Sequence, residues 1–416
     1  MFSEIMRILV ISNSCLSEEE SNGRILRTLL SGFSDGDLSN FALRGIPNCQ
    51  GVDYQTVTDG DALRSFVTLG IRKPRGIVPS QNAPVTADAR SSKARNHYIR
   101  DIVWYSGCWN HGHVRQWFNN LDVSAVFLMA ADAPFLYRLA RKVSKKKGIP
   151  LLIYSSEDYF LKDYDYMGKK VEKNFWCRRF LNHLHRDARK AFRHASLSML
   201  CSPKLERSVK AAYGNIPTEV VYQPSLLSPR KPKTGPIKRI VYGGNINEVR
   251  ITPLLEIAKT IHGFDPNMHL TLYGPCPKSL HGQLEQAEGI EYGGKLPYSV
   301  LLEKYEEADM LVHAEGFDDY NLLDYAHAFS TKIGDCYQSG IPFFLYGPKE
   351  IPCIQFGMEH SPEFTATNPE ELRDKLTAVL SDKTKYAVDR EFLADCFDAS
   401  IVGKHIADRI ARLVKE

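Results

Sequence analysis

The chain alternates short apolar runs with longer stretches of helical periodicity. The run RILVIS (7–12) precedes the stretch GRILRTLLSGF, and the runs DVSAVFLMAA (122–131) and IPLLIYSS (149–156) enclose FLYRLARKVSKKKG. Apolar runs of this length separated by amphipathic stretches are typical of parallel strands joined by crossover helices. The first part of the chain is therefore predicted to form a parallel sheet covered by helices.

A second series of the same kind follows the segment SLLSPRKPKTGP (225–236), which is rich in proline, serine and basic residues. That composition predicts an interdomain linker. Beyond it, the runs KRIVYGG (238–244), MHLTLYGP (268–275) and DMLVHAE (309–315) are predicted strands, each followed by a helical stretch. The last segment, from residue 369 onward, is predicted to be wholly helical.

These patterns predict an α/β fold with two doubly wound Rossmann-like domains that face one another across a cleft. We expect one domain over 1–226, a second over 237–385 and further helices over 386–416. In doubly wound sheets, ligands bind beyond the carboxyl ends of the strands, so the candidate chemistry is sought there.

Two further segments have their own predictions. Residues 70–98 lack periodicity and are predicted to be a mobile loop. Residues 96–120 are predicted to form a helix whose tryptophans, Trp104, Trp109 and Trp117, pack in the core, with insertion into a membrane surface as the alternative.

Composition excludes several classes of protein. The 416 residues are 43% hydrophobic and 25% charged, which is ordinary for a globular protein, and no apolar run has the length of a membrane-spanning helix. The nine cysteines form no C-x-x-C pair, so they are interpreted as reduced, buried thiols in a cytoplasmic protein. No cofactor and no metal is expected.

Charge is distributed unevenly along the chain. The net charge is only +4, yet residues 1–235 contain 35 Lys and Arg against 21 Asp and Glu. The basic surplus is concentrated in 140–148 and 177–195. A solvated helix face is one interpretation, and an anionic membrane surface or a phosphate-bearing lipid is the other. No recognisable motif supports a nucleic-acid partner.

The stretch STKIGDCYQSGIP (330–342) is the main candidate for chemistry. Ser330 and Thr331 are good N-cap residues for a short helix, and the interpretation without a ligand ends there. The alternative is a phosphate site, in which free N–H groups and Lys332 bind the anion. Asp335, one turn further on, is then placed to accept hydrogen bonds from ribose hydroxyls. A nucleoside diphosphate would account for all of these features.

DMLVHAEGF followed by STKIGDCYQSGIPFFLYGP resembles the donor-binding region of GT-B glycosyltransferases, particularly family 4 and its capsule and lipopolysaccharide sugar transferases. That family carries two carboxylates, the first in an E-G-F motif. Glu315 matches the first carboxylate and Asp335 takes the place of the second. An inserted stretch separates the two further than in the family, and Asp replaces the usual Glu.

The resemblance extends to YGGNINEVR (242–250), which is similar to the glycine-rich turn and basic residue that open the second domain in this family. It implies that Arg250 contacts the donor diphosphate, with Gly244 and Asn245 in the donor-binding turn. Asn245 stands where many members have arginine. Gly23, in SNGR, matches the glycine loop of the first domain that approaches the donor phosphate. A simple turn before a helix is the alternative for Gly23.

The resemblance implies that the first domain, 1–226, binds the acceptor and that the second, 237–385, binds the nucleotide sugar. It also implies that the helices over 386–416 pack back toward the first domain. Asp132 ends one predicted strand, while Glu157 and Asp158 follow the next, so all three should project from the carboxyl edge of the sheet. They are candidates for binding acceptor hydroxyls or for acting as a general base. The alternative is that they only cap strand–helix turns.

Taken together, the resemblance and the residues predict a glycosyltransferase that moves a sugar from a nucleoside-diphosphate donor, with UDP the favoured nucleotide. Arg250 and Lys332 would stabilise the leaving diphosphate without a metal, and Glu315 would hold the donor sugar. The resemblance implies retention of anomeric configuration.

The expected acceptor is a saccharide or a polyprenyl-diphosphate saccharide used in surface polysaccharide synthesis. The expected location is the cytoplasm, with peripheral attachment to the inner face of the cell membrane. Two alternatives stay open, which are a nucleotide-sugar epimerase of the same fold and a non-catalytic scaffold that binds nucleotide sugar. An NAD-dependent oxidoreductase is disfavoured because no G-x-G-x-x-G follows either first strand.

Overall fold

The computed structural model describes residues 6–18, 21–72, 74, 94–231, 235–382, 386 and 388–416. The chain divides into two compact units, and each is described separately. The first unit comprises Met1–Val221 and Gly403–Glu416, and the second comprises Tyr222–Val402. Most of the predicted loop over 70–98 lies outside the described residues.

Among the described residues, the first unit contains one parallel sheet of seven strands in the order β3-β2-β1-β4-β5-β6-β7. Strand β1 is central, and the chain adds strands to one side of it before it crosses to the other side. The strands are β1 Ile8–Ser14, β2 Leu38–Arg44, β3 Asp53–Thr56, β4 Ala125–Met129, β5 Leu151–Ser155, β6 Leu197–Leu200 and β7 Thr218–Val220. The inner strands are buried, as expected for a parallel sheet covered on both faces.

Helices connect these strands. They are α1 Ser21–Leu29, α2 Asp59–Val67, α3 Ala94–Tyr105, α4 His113–Asn120, α5 Pro134–Lys147, α6 Phe175–Phe192 and α7 Pro203–Tyr213. The prediction of one helix over 96–120 is wrong, because the chain leaves the helix after Tyr105 and starts a new one at His113. Gly107 and Gly112 have positive φ in the interruption, a conformation that ends a right-handed helix.

The tryptophans of this region are part of the interior. Trp104 and Trp109 are buried and pack against each other with ring centroids 5.1 Å apart, which confirms the predicted core role for both. Trp117 is half-buried on α4, and its indole N–H donates to Asp53.

Within the described residues, the second unit contains one parallel sheet of six strands in the order β10-β9-β8-β11-β12-β13. They are β8 Ile240–Gly243, β9 Leu270–Tyr273, β10 Ile290–Gly294, β11 Met310–Ala314, β12 Phe343–Tyr346 and β13 Thr365–Ala366. The order of strands reverses between β8 and β11, which pair directly. In doubly wound sheets such a reversal is where ligands bind, at the carboxyl ends of the strands.

The helices that follow are α8 Ile251–Phe264, α9 Lys278–Gln286, α10 Tyr298–Glu307, α11 Asp319–Asp324, α12 Lys332–Gln338, α13 Pro352–His360, α14 Pro369–Ser381, α15 Arg390–Phe397 and α16 Ala399–Lys415. In its described residues, the last segment is mostly helical and contains three separate helices. The N-caps Asn368 and Asp389 each accept a hydrogen bond from a free N–H group of the next helix, which explains where α14 and α15 begin.

The predicted linker packs against the second unit over its described part. The Ser225 N–H donates to the Phe397 carbonyl at 2.8 Å, and the Ala399 N–H donates to the Ser225 carbonyl at 3.1 Å. The Arg230 N–H donates to the Ser339 carbonyl at 2.9 Å. Residues 222–231 therefore have a defined path instead of forming a simple flexible connection.

Helix α16 contributes its later part to the first unit. Its residues from Gly403 onward are grouped with that unit, where His405 and Arg409 both pair with Glu219 of β7. The predicted fold class, α/β with two doubly wound parallel sheets, is confirmed. Among the described helices, we find none whose length and apolar character would allow it to cross a bilayer.

Candidate active site

The candidate donor site lies in the second unit, at the reversal between β8 and β11. Gly244 follows β8, Arg250 precedes α8, Glu315 follows β11, and Lys332 begins α12. All strands of the sheet are parallel, so the carboxyl ends of β8 and β11 lie at the same edge. The structure therefore brings together three residues that the sequence assigned to one site, Arg250, Glu315 and Lys332.

Arg250 and Glu315 form a buried, two-pronged ion pair. Arg250 Nη2 lies 2.9 Å from Oε1 and 3.0 Å from Oε2 of Glu315, and Arg250 Nε lies 3.2 Å from Oε2. Only 7% of Arg250 and 2% of Glu315 are exposed. Such a planar, bidentate contact is specific to arginine, since lysine lacks the fork of donors.

His313 is a third member of this cluster and was not predicted. It lies on β11, two residues before Glu315, and its Nε2 is 2.8 Å from Glu315 Oε1. Burial lowers the pKa of the His313 imidazole, so the ring is neutral and carries its proton on the nitrogen that donates to the carboxylate. The alternation H-A-E along the strand could have indicated the contact, because residues two apart project from the same face.

The charge state of Glu315 follows from these contacts. Burial alone would raise the pKa of its carboxyl group, but the Arg250 charge and the His313 hydrogen bond outweigh burial and lower the pKa to about 2. Glu315 is therefore an anion at neutral pH, and both of its oxygens accept hydrogen bonds from Arg250. Its expected contact with donor-sugar hydroxyls stays a prediction.

Lys332 supplies a second positive charge beside this pair. No carboxylate in the described part of the chain forms an ion pair with it, and its side chain is half-buried. Burial and repulsion from Arg250 lower the pKa of its ammonium group to about 8. An amine with this pKa is cationic at neutral pH, and the nearby carboxylates of Glu315 and Asp335 favour its charged form.

Gly244 leaves room for the Lys332 side chain. A Cβ atom at residue 244 would lie 2.6 Å from Lys332 Cε and 2.7 Å from the Tyr242 hydroxyl oxygen. The neighbouring Asn245 side chain is exposed, while its carbonyl accepts from the Tyr242 hydroxyl at 3.0 Å. The turn at Gly244 therefore packs its backbone against the aliphatic part of the Lys332 side chain, while the Asn245 side-chain amide is exposed to solvent.

The start of α12 differs from the prediction. Thr331 occupies the N-cap position, but its backbone is helical and its side chain makes no capping bond. The Ser330 carbonyl accepts from the Ile333 N–H at 3.1 Å. The prediction of a cap is wrong for Thr331, because capping requires an extended N-cap backbone. The donor-binding role of Ser330 and Thr331 stays a prediction.

Asp335 accepts hydrogen bonds from two other side chains of the second unit. Ser225 Oγ lies 2.6 Å from Oδ1, and the Tyr298 hydroxyl oxygen lies 2.9 Å from both carboxylate oxygens. The Asp335 side chain is half-buried. Neither donor was predicted from the sequence.

In the first unit, Gly23 lies in α1 and packs tightly on the segment after β1. A Cβ atom there would lie 2.2 Å from the Cys15 carbonyl oxygen and 2.7 Å from Ser17 Cβ. Glycine is thus required for close packing of the helix start, and the donor contact of Gly23 stays a prediction.

The three candidate acceptor residues follow β4 and β5 as predicted. Asp132 and Asp158 are buried, while Glu157 is half-buried. Asp158 Oδ1 lies 3.4 Å from the ammonium group of the buried Lys162. Asp158 is therefore engaged in a buried ion pair, and acceptor binding by these residues stays a prediction.

Within the described residues, the ligand atoms of His313, Glu315 and Cys353 lie within 4.8 Å of one another. This donor set suits a metal ion poorly. Glu315 is already paired with Arg250, whose positive charge would repel a cation, and burial raises the pKa of the Cys353 thiol. Thiols bind metals as thiolates, so a protonated cysteine is a weak ligand.

No protein-family model matches the chain, and no curated protein matches it in sequence. Solved structures do resemble it. Sucrose-phosphate synthase from Thermosynechococcus elongatus aligns over 98% of this chain and 99% of its own, with a TM-score of 0.66 and 10% identity.

HepE of Anabaena, solved with UDP and glucose, aligns over 98% of this chain and 99% of its own, with a TM-score of 0.61 and 13% identity. A UDP-forming trehalose-phosphate synthase from Burkholderia xenovorans, in complex with glucose-6-phosphate, aligns over 97% of this chain and 100% of its own, with a TM-score of 0.55 and 9% identity. At these identities the likeness shows the fold. The chain therefore has the GT-B fold, as its sequence predicts.

Proposed function

We propose that this chain is a glycosyltransferase that takes its sugar from a nucleoside-diphosphate donor. The observation that carries the proposal is the cluster of Arg250, Glu315 and Lys332 at the strand reversal of the second unit. Arg250 and Lys332 place two cations at this edge of the sheet, with Glu315 and Asp335 as the neighbouring carboxylates. The two cations suit a diphosphate leaving group. UDP is the favoured nucleotide, since two proteins of similar fold are described with UDP in their names or complexes.

In the proposed reaction, the bond between the anomeric carbon and the diphosphate breaks, and negative charge develops on the leaving diphosphate. Lys332 would neutralise that charge directly. Arg250, fixed by Glu315, would present its remaining N–H donors to the same group. The sugar passes to a hydroxyl of the acceptor, which loses its proton. We propose that the anomeric configuration is retained and that these roles of Lys332 and Arg250 require no metal.

The acceptor is proposed to be a saccharide or a polyprenyl-diphosphate saccharide of surface polysaccharide synthesis. The start of α6 supports attachment to an anionic membrane, because Phe175 and Trp176 are 54% and 39% exposed there. Exposed basic residues follow along the same helix, namely Arg178, Arg179, Arg186, Arg189 and Lys190. Aromatic side chains beside basic residues are the combination that binds the surface of anionic bilayers.

Sedimentation with liposomes tests this attachment. We expect the protein to bind phosphatidylglycerol vesicles at low salt and to release them in high salt, and Phe175→Ala with Trp176→Ala to weaken binding. Equal binding to neutral vesicles, or none to anionic ones, would remove the membrane from the proposal.

Thermal unfolding with UDP, GDP, ADP and CMP tests the donor class. A ligand at a hundredfold excess over its Kd stabilises the native state by about 2.7 kcal/mol. We expect one diphosphate to raise the Tm of the wild type but not of Lys332→Met. Lys304→Met, which removes an exposed pair with Glu307, is the matched control and should respond like the wild type. If none of the nucleotides raises the wild-type Tm, the proposal fails.

A glycosyltransferase, an epimerase and a non-catalytic scaffold differ in whether they convert the sugar nucleotide and whether they need an acceptor. A transferase releases nucleoside diphosphate faster when an acceptor is added, whereas an epimerase converts the sugar nucleotide without any acceptor. A scaffold binds the donor and turns nothing over. Chromatography of a radiolabelled sugar nucleotide after incubation, with and without saccharide acceptors, separates the three.

A further inference from the structure

Two hydroxyl groups hold the carboxylate of Asp335 in place. Ser225 comes from the segment that precedes β8, and Tyr298 is the first residue of α10. The bonds span 110 and 37 residues of sequence, so three distant segments of the second unit meet at this carboxylate. A short aspartate side chain with donors from two elements has little freedom to change its rotamer.

The direction of the Ser225 bond is fixed by its surroundings. The Leu227 N–H donates to Ser225 Oγ at 3.1 Å, so that oxygen already accepts a hydrogen bond. A carboxylate only accepts, and therefore the Ser225 hydroxyl proton must point to Asp335. The main-chain bonds of Ser225 to Phe397 and Ala399 hold its backbone, so the hydroxyl has a defined position.

Tyr298 contributes from the other element. Its hydroxyl lies at the same 2.9 Å from both oxygens of Asp335, and its side chain is half-buried. The Tyr298 hydroxyl has one proton to donate, so it shares that proton between the two carboxylate oxygens. This arrangement orients the plane of the carboxylate relative to the neighbouring Lys332.

We infer that Ser225 and Tyr298 are positioning residues, which orient Asp335 to receive the vicinal 2′- and 3′-hydroxyls of the donor ribose. The inference rests on the proposed function, because it needs a nucleoside diphosphate at Lys332. It assigns a role in donor recognition to Ser225, a residue of the segment that the sequence marks only as a linker. It also predicts that ribose is selected over deoxyribose.

Binding of UDP and of 2′-deoxy-UDP by isothermal titration calorimetry tests the inference, with GDP and 2′-deoxy-GDP in parallel. A hydrogen bond to a charged group changes affinity about tenfold or more. We expect the wild type to bind the ribose form about tenfold more tightly than the deoxy form. In Ser225→Ala and Tyr298→Phe, the ratio of the Kd for the deoxy form to the Kd for the ribose form should fall at least about threefold, toward the ratio in Asp335→Ala.

Ser361→Ala is the matched control. It removes another buried serine hydroxyl of the second unit, which bonds Tyr337 at 2.7 Å, and should lower stability while it leaves the ribose preference unchanged. The ribose preference is a ratio of two affinities in one variant, so a general loss of stability does not move it. Should Ser225→Ala fail to fold, Tyr298→Phe still decides, because it removes one oxygen atom from a half-buried ring.

The outcomes separate the two proposals. If no nucleoside diphosphate binds the wild type, the proposed function and the inference both fail. If the ribose and deoxy forms bind equally, the proposed function stands and the ribose role of Asp335 is overturned. If the preference is present but unchanged in both Ser225→Ala and Tyr298→Phe, Asp335 keeps its role and the positioning role is overturned.

Discussion

The guanidinium of Arg250 donates hydrogen bonds to both carboxylate oxygens of Glu315 in the interior of the second unit. A buried pair of this kind adds little net stability compared with apolar residues, but the loss of one partner leaves an uncompensated charge. The pair therefore fixes the position of a cation more than it strengthens the fold.

Glu315→Ala should destabilise the second unit strongly. Removal of the carboxylate leaves Arg250 buried and unpaired, which costs about 3–5 kcal/mol in the free energy of unfolding. Urea denaturation monitored by circular dichroism measures this cost. Glu307→Ala is the control, because its pairs with Lys304 and Arg239 are exposed and should contribute far less to stability. Equal costs for the two variants would contradict the buried-pair interpretation.

Low pH should remove the contribution of Glu315 to the free energy of unfolding. Its pKa is about 2 in the folded chain and 4.5 for the ordinary group, so the folded state favours the charged form. A lowered carboxyl pKa gives stability that is present above pH 4.5 and lost as the pH falls toward 2, by about 3 kcal/mol in total.

The comparison with Glu315→Gln isolates this effect. The difference in unfolding free energy between the wild type and Glu315→Gln should shrink as the pH falls below 4.5. Urea titrations at half-unit steps of pH measure it. A difference that stays constant over this range would show that Glu315 is not a buried anion.

Nucleotide affinity should fall at alkaline pH. Because the pKa of Lys332 is about 8, the amine is charged below that pH and neutral above it. The Kd for UDP should therefore increase as the pH rises through 8. In Lys332→Arg the added pH dependence should disappear, since arginine stays protonated throughout this range. Calorimetric titrations from pH 6.5 to 9.5 compare the two, and identical profiles would overturn the role of Lys332.

Gly244→Ala should weaken nucleotide binding. The new methyl group would overlap Lys332 Cε at 2.6 Å, so the lysine must shift away from its present position. Gly263→Ala is the matched control in the same unit, because a Cβ there meets nothing within 4 Å. We expect a higher Kd for UDP in Gly244→Ala only. If both variants bind like the wild type, close packing of Lys332 on the turn is not needed for binding.

The sequence predicted much of the fold because periodicity reports directly on burial. The runs around Ile8, Phe127 and Val312 became buried central strands, since a parallel sheet covered on both faces requires continuous apolar residues. Helix ends were harder to predict. The interruption between α3 and α4 depends on two glycines with positive φ. The residue types of this stretch also occur inside helices, so composition does not indicate where α3 ends.

The site was only partly predictable from the sequence. Arg250, Glu315 and Lys332 follow strands or begin helices at one sheet edge, so topology alone brings them together. Ser225 and Tyr298 reach Asp335 from 110 and 37 residues away, and no local pattern records such a contact. The predicted cap at Thr331 was wrong because residue type does not decide the backbone angles there.

The membership of residues 403–416 in the first unit has a consequence for biosynthesis. These residues leave the ribosome only after the whole of the second unit has been made, so the first unit lacks Arg409 as a partner for Glu219 until then. The second unit, by contrast, is contiguous in sequence. Maturation of the two units is therefore nested, with the second able to fold while the first awaits its last helix.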